Sequence, residues 1–174
     1  MNPSHGRQRP KRSRRSIVSR LALGVLLLST LVLALPGAAS AGIIPGVHQI
    51  QNRWGGECLD VAGAASYNGA EVRIWRCVNA DNQRWQKVDA GLGAVALRVA
   101  HTGKCLTIQG EIASGANIVQ DVCENRPDQR WFVGAYADGY DLIWNNGLCL
   151  SKAWGDVTVW PCTGVKWQQW ESLG

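Results

Sequence analysis

One pattern occurs three times in this sequence at nearly constant spacing. Gly56-Glu57-Cys58-Leu59 is followed by Cys77 and by Gln83-Arg84-Trp85. Gly103-Lys104-Cys105-Leu106 is followed by Cys123 and Gln129-Arg130-Trp131, and Gly147-Leu148-Cys149-Leu150 by Cys162 and Gln168-Gln169-Trp170. The second cysteine of each copy stands six residues before the Gln, and successive first cysteines lie 47 and 44 residues apart. A period of this length marks repeated supersecondary units, none of which can bury its apolar side alone. Within them His48-Gln49-Ile50-Gln51, Val72-Arg73-Ile74-Trp75, Leu97-Arg98-Val99 and Asp141-Leu142-Ile143-Trp144 alternate in character between Gly and Asn turn signals, which predicts short strands. No helical periodicity follows residue 41. The expected fold is all-β, closed, and threefold in its symmetry, with repeats over about 46–90, 91–134 and 135–174.

The six cysteines fall two to a copy, and of the fifteen connectivities open to six cysteines the repeat symmetry selects one. It pairs Cys58 with Cys77, Cys105 with Cys123, and Cys149 with Cys162. These bridges close loops of 20, 19 and 14 residues, and in the chain-entropy model each is worth about 3 kcal/mol. A zinc site would need Cys or His pairs two to four residues apart, and none occurs. No cofactor is implied.

Three disulfides require an oxidising compartment, and the N-terminus predicts how the chain reaches one. Residues 1–20 carry seven of the eighteen basic residues and no acidic one, and the apolar run Leu21 to Leu35 and Ala39-Ser40-Ala41 follow. This order predicts a signal peptide over 1–41, cleaved after Ala41 to leave a secreted domain of 42–174. The fifteen-residue run is broken by Ser29-Thr30 and is shorter than the ~20 apolar residues a spanning helix needs, so no membrane span is expected in the mature form. Arg14-Arg15 resemble a twin-arginine signal, but paired arginines also occur in any strongly basic leader, and the general secretory route is favoured. Without the leader, eleven Lys and Arg face thirteen Asp and Glu, so the +5 of the whole chain becomes −2. Nucleic acid, which demands a basic face, is excluded as a partner.

Three Gln-x-Trp triplets in phase with three cysteine pairs resemble the ricin-B-type lectins, carbohydrate-binding family 13, and the likeness covers nearly all of 42–174. It implies a β-trefoil with Trp85, Trp131 and Trp170 in a shared core and each Gln as a buried, hydrogen-bonded amide. It also implies where sugar binds: an Asp two residues after the first cysteine, an aromatic two before the second, and an Asn ahead of the Gln. A sugar needs an aromatic plate for its C–H face and fixed polar groups for its hydroxyls. The first copy has Asp60, Trp75 and Asn82, followed by Gln83, with Arg73 where such proteins often carry Gln and with Tyr67-Asn68-Gly69 as a turn. The second has Thr107 and Asp121 in place of the carboxylate and the aromatic, and the third has Ser151, Trp160 and Trp167 with a shortened loop. Asp60, Arg73, Trp75, Asn82 and Gln83 are therefore the expected carbohydrate-binding residues. By the resemblance the ligand is a galactose-containing or xylan-like glycan.

Two other classes compete. An enzyme would need a nucleophile beside a base or a pair of carboxylates across a cleft. His48 and His101 lie near no such nucleophile, every cysteine is expected to be bridged, and Asp60 with Asp81 is the one carboxylate pair to consider, so catalysis is not expected. A trefoil could also have abandoned sugars for a protein partner, as a toxin's cell-binding subunit or a protease inhibitor. A single shallow sugar site would bind at about the millimolar level, some 4 kcal/mol, and would need a polymeric ligand, a dimer or a partner protein to supply avidity.

Overall fold

The computed structural model describes residues 46–173, so the predicted signal segment 1–41 lies outside the described residues. Twelve strands run in chain order: β1 Val47–Asn52, β2 Cys58–Val61, β3 Ala70–Trp75, β4 Arg84–Gly91, β5 Ala94–Val99 and β6 Cys105–Ile108, then β7 Ile118–Asp121, β8 Phe132–Ala137, β9 Tyr140–Asn145, β10 Leu148–Ala153, β11 Asp156–Pro161 and β12 Gln169–Leu173. All four segments read as strands fall in β1, β3, β5 and β9, and the helical turns among the described residues are single 3-10 turns.

Six strands make a ring. β1 pairs with β4 and β12, β4 with β5, and β8 and β9 with each other, while β9 also pairs with β12. The bridge between Val95 and Trp131 completes the circuit from β5 to the start of β8. The other six form hairpins, β2 with β3, β6 with β7 and β10 with β11. They meet each other through Ala70 opposite Gln120, Asp156 opposite Arg73, and the bridge from Asn117 to Thr158. Four strands per copy, two in a ring and two in a cap, is the β-trefoil. Closure leaves the ring with no open edge.

Trp85, Trp131 and Trp170 are buried at the centre with Leu59, Leu106 and Leu150. The residues before each first cysteine, Gly56, Gly103 and Gly147, have φ of 72°, 70° and 78°, so each copy enters its hairpin through a left-handed backbone that favours glycine. Cys58–Cys77, Cys105–Cys123 and Cys149–Cys162 are bridged, and the described residues contain no free cysteine. The connection from β2 to β3 is longer than a tight hairpin. It contains a 3-10 turn at Ala62–Ala64 before Gly69 (φ 79°) turns the chain into β3.

Candidate functional site

Each Gln-x-Trp starts on a 3-10 turn that ends in the Gln: Asp81–Gln83, Pro127–Gln129 and Lys166–Gln168. The indole Nε1 of Trp85, Trp131 and Trp170 then donates to the carbonyl of Leu59, Leu106 and Leu150, at 3.1, 2.9 and 2.9 Å. The Gln carbonyl oxygens accept from the backbone N–H of Val78, Glu124 and Thr163 at 2.8, 2.9 and 2.9 Å. The Nε2 groups donate to the carbonyls of Arg76, Val122 and Pro161 at 2.8, 2.7 and 3.0 Å. Their second hydrogen goes to the residue two after the first cysteine. That acceptor is Asp60 Oδ2 at 3.0 Å, Thr107 Oγ1 at 3.1 Å and Ser151 Oγ at 3.1 Å.

This last contact changes the reading of the repeat. Thr107 and Ser151 stand where the sequence shows no carboxylate, yet they still supply the acceptor that the buried amide requires. Each hydroxyl donates its own hydrogen to the carbonyl of Cys105 or Cys149, at 2.9 and 2.8 Å. An unmatched buried amide donor would cost about 1–3 kcal/mol, so the position is held to acceptors by folding. Asp60 does the same and has capacity left over.

Asp60 is 3 % exposed. Oδ2 also accepts from Asn82 Nδ2 at 2.9 Å, and Oδ1 accepts from Arg73 Nε at 3.2 Å. A carboxylate offers about four lone-pair sites, so one remains beside the guanidinium. Asp60 is directly opposite Arg73 in the β2–β3 pairing, and Cys58 is opposite Trp75. Arg73 and Trp75, two apart on one strand, share its outer face. The Arg73 guanidinium carbon lies 4.3 Å from the Trp75 ring centroid, and that indole is 46 % exposed. The fold thus gathers Asp60, Arg73, Trp75 and Asn82 at one surface, with the guanidinium resting on the indole and bonded to the carboxylate. Gln83 lies beneath them, fully buried and with both amide hydrogens committed. Asp81 is directed elsewhere: its carboxylate accepts from Arg84 Nη1 at 3.3 Å on the outer surface.

In the second copy Asp121, at the aromatic position, and Asp128, at the Asn position, surround Arg126. Its Nη2 donates to Asp121 Oδ2 at 3.0 Å, its Nε to Asp128 Oδ1 at 3.2 Å, and its Nη1 to Glu124. Hydrogen bonds donated by the guanidinium to Asp128, then to Asp121 and Glu124, raise the Arg126 pKa above that of an ordinary arginine. An ion network occupies the place of the aromatic plate.

The third copy holds a feature that the repeat pattern does not place. A cleft of about 370 Å³ is lined by Trp54, Lys152, Ala153, Trp154, Trp160 and Trp167. Trp54 and Trp167 meet edge to face at 6.1 Å. Lys152 Nζ bonds Glu57 Oε2 at 2.6 Å and the Trp54 carbonyl at 2.8 Å, tying the third copy to the turn between β1 and β2. The signal in the sequence was three tryptophans, Trp54, Trp144 and Trp154, that fit no position of the repeat: Trp54 and Trp154 line the cleft, whereas Trp144 stacks on Phe132. Among the described residues no group of three or more His, Cys, Asp or Glu could hold a metal ion.

Comparison with known proteins agrees with the architecture. Residues 40–121 match the family model of the ricin-type beta-trefoil lectin domain-like proteins. The designed threefold-symmetric protein ThreeFoil superposes with a TM-score of 0.71 at 28 % identity, over 74 % of this chain and 99 % of that one. An exo-β-1,3-galactanase from Clostridium thermocellum gives 0.70 at 22 % identity, with 74 % of this chain matching 30 % of the enzyme. The ricin B-like lectin of Macrolepiota procera, solved in complex with lactose, gives 0.65 at 20 % identity, over 73 % of this chain and 94 % of the lectin.

Proposed function

We propose that this ricin-type β-trefoil is a secreted, non-catalytic carbohydrate-binding protein whose sugar site is the first-copy cluster of Asp60, Arg73, Trp75 and Asn82. The lectin-like domain and its lectin neighbours support a carbohydrate-binding role at the level of the family. The observation that carries the finer reading is the contrast between copies. All three need an acceptor for the Gln amide, but only the first uses a carboxylate with spare capacity beside a half-exposed indole. Nothing in the packing of the Gln requires that charge, since a hydroxyl serves at Thr107 and Ser151.

Sugar binding at this cluster proceeds by exchange. The planar guanidinium of Arg73 covers the indole and bonds the carboxylate, the two tasks a pyranose would perform with its C–H face and a hydroxyl. The sugar displaces it from the indole, and Asn82, held by Asp60 and by the Val61 carbonyl at 2.9 Å, flanks the ring. Asn82 and Gln83 fix the carboxylate in advance, so little ordering is left for the ligand to supply. The ligands proposed are galactose-containing or xylan-like glycans.

A multivalent glycan and polysaccharide screen, run in parallel on Trp75→Ala, tests this. Binding lost in the variant while the fold persists is the expected result. An absence of binding under multivalent display would refute the proposal and favour a trefoil that docks a protein partner, as a toxin's cell-binding subunit or an inhibitor does.

A further inference from the structure

Four exposed tryptophans, Trp54, Trp154, Trp160 and Trp167, line the third-copy cleft and stand outside the hydrophobic core. Trp154 is the extreme case: it is 98 % exposed, and its φ of 44° puts a bulky side chain in the left-handed region. Both features work against stability, and such strain in a turn is a pointer to use. Trp154 reaches this position because the third intercysteine segment is short. β10 ends at Ala153 and β11 starts at Asp156, where the other two copies have longer connections.

The turn does not stand apart from the first-copy site. Asp156 is opposite Arg73, and Ile74 N–H donates to the Gly155 carbonyl at 3.1 Å. That antiparallel register carries Trp154 toward the Trp75 end of β3. Trp154 also lines the cleft that holds Trp160 and the Trp54–Trp167 pair. A second depression of about 490 Å³, lined in part by Arg53, Val165 and Lys166, shares that pair as its wall. Through the turn bearing Trp154 the series of indoles in the cleft is thus joined to the strand that carries Arg73 and Trp75 of the polar cluster.

We infer that this series is one binding track for a polymeric glycan, with one ring at Trp75 and the following rings along Trp154, Trp160 and the Trp54–Trp167 ridge. The inference rests on the first-copy site being a sugar site and extends it to the length of ligand it selects. Successive indole plates suit successive pyranose rings, whose C–H faces stack while the hydroxyls stay in water. The cleft offers few polar partners: the Lys152 ammonium is taken by Glu57 and a carbonyl, and Trp160 Nε1 donates to Thr158 Oγ1 at 3.1 Å. Stacking is therefore its main contribution. A lipid surface would also take exposed indoles, but the track ends among a carboxylate, an amide and a guanidinium, groups that match hydroxyls and not acyl chains. Tethering the second contact to the first raises its effective concentration, so affinity grows with chain length.

The test is calorimetric titration of the oxidised protein, obtained by expressing the full chain, with xylo- and β-galacto-oligosaccharides of one to six rings. For the chemistry that binds, affinity is expected to rise at least tenfold between one ring and six. Trp154→Gly, which also relieves the backbone, and Trp167→Ala should abolish that rise and leave single-ring affinity unchanged, whereas Trp75→Ala should remove both. A rise that survives Trp154→Gly and Trp167→Ala, or affinity independent of length, overturns the track and leaves the first-copy site standing. Adsorption to phosphatidylcholine vesicles that depends on Trp154, without a length effect, overturns it in favour of lipid. No binding at any length removes the first-copy site as well.

Discussion

The comparison of Asp60→Ala with Asp60→Thr separates the folding role of this position from its role toward ligand. In the alanine variant one Gln83 Nε2 hydrogen loses its partner inside the core, since Gln83 is fully buried. That loss costs about 1–3 kcal/mol. The partly exposed pair with Arg73 adds about 0.2–1 kcal/mol, and Asn82 keeps the Val61 carbonyl. The sum is about 1–4 kcal/mol. In the threonine variant the hydroxyl can accept from Gln83 and donate to the Cys58 carbonyl, the arrangement Thr107 already uses toward Gln129 and Cys105. What remains is the loss of the Arg73 pair, about 0.2–1 kcal/mol, so alanine should cost more than threonine by the ~1–3 kcal/mol of the orphaned amide hydrogen. Guanidinium denaturation under non-reducing conditions, followed by tryptophan fluorescence, measures both variants, and unchanged slopes would show that the midpoints report stability. Glycan binding should be lost in each. Equal destabilisation by Ala and Thr would refute the equivalence drawn between the three copies, and sugar binding retained by Asp60→Thr would refute the carboxylate as ligand.

Trp75→Ala should abolish binding and shift stability by no more than about 0.5 kcal/mol, because the side chain is half exposed and outside the core cluster; thermal melts beside a binding screen check this. Arg73→Gln should raise sugar affinity two- to fivefold, the equivalent of releasing an exposed cation–π contact of about 0.5–1 kcal/mol; weaker binding would instead make the guanidinium a donor to the bound sugar. Trp131→Ala should cost about 3–5 kcal/mol in denaturant titration and, in whatever fraction stays folded, leave the first-copy site able to bind. Replacing Cys149 and Cys162 by Ser should cost about 3 kcal/mol, read as a lowered melting temperature.

The repeat and the disulfide pairing were legible in the sequence, because each is a matter of residue type at a fixed interval along one chain, and the core tryptophans and buried Gln amides followed from the family resemblance that those intervals carry. The grouping of Asp60 with Arg73 and Trp75 was expected from the same resemblance, and the β2–β3 register that sets Asp60 opposite Arg73 and Cys58 opposite Trp75 is what brings them together. Thr107 and Ser151 were legible as the loss of a carboxylate, but that they still bond Gln129 and Gln168 required coordinates. Sequence position shows which atom types are present and not which distances they keep. The aromatic track belongs wholly to tertiary structure. Trp54 and Trp167 meet because ring closure sets Asn52 opposite Trp170, and the turn bearing Trp154 lies against β3 because Asp156 of the β10–β11 hairpin pairs with Arg73. Those pairings join residues 83 and 118 apart along the chain. Their pairing is decided by how three near-identical units close on one another, and local spacing within a unit carries no record of it.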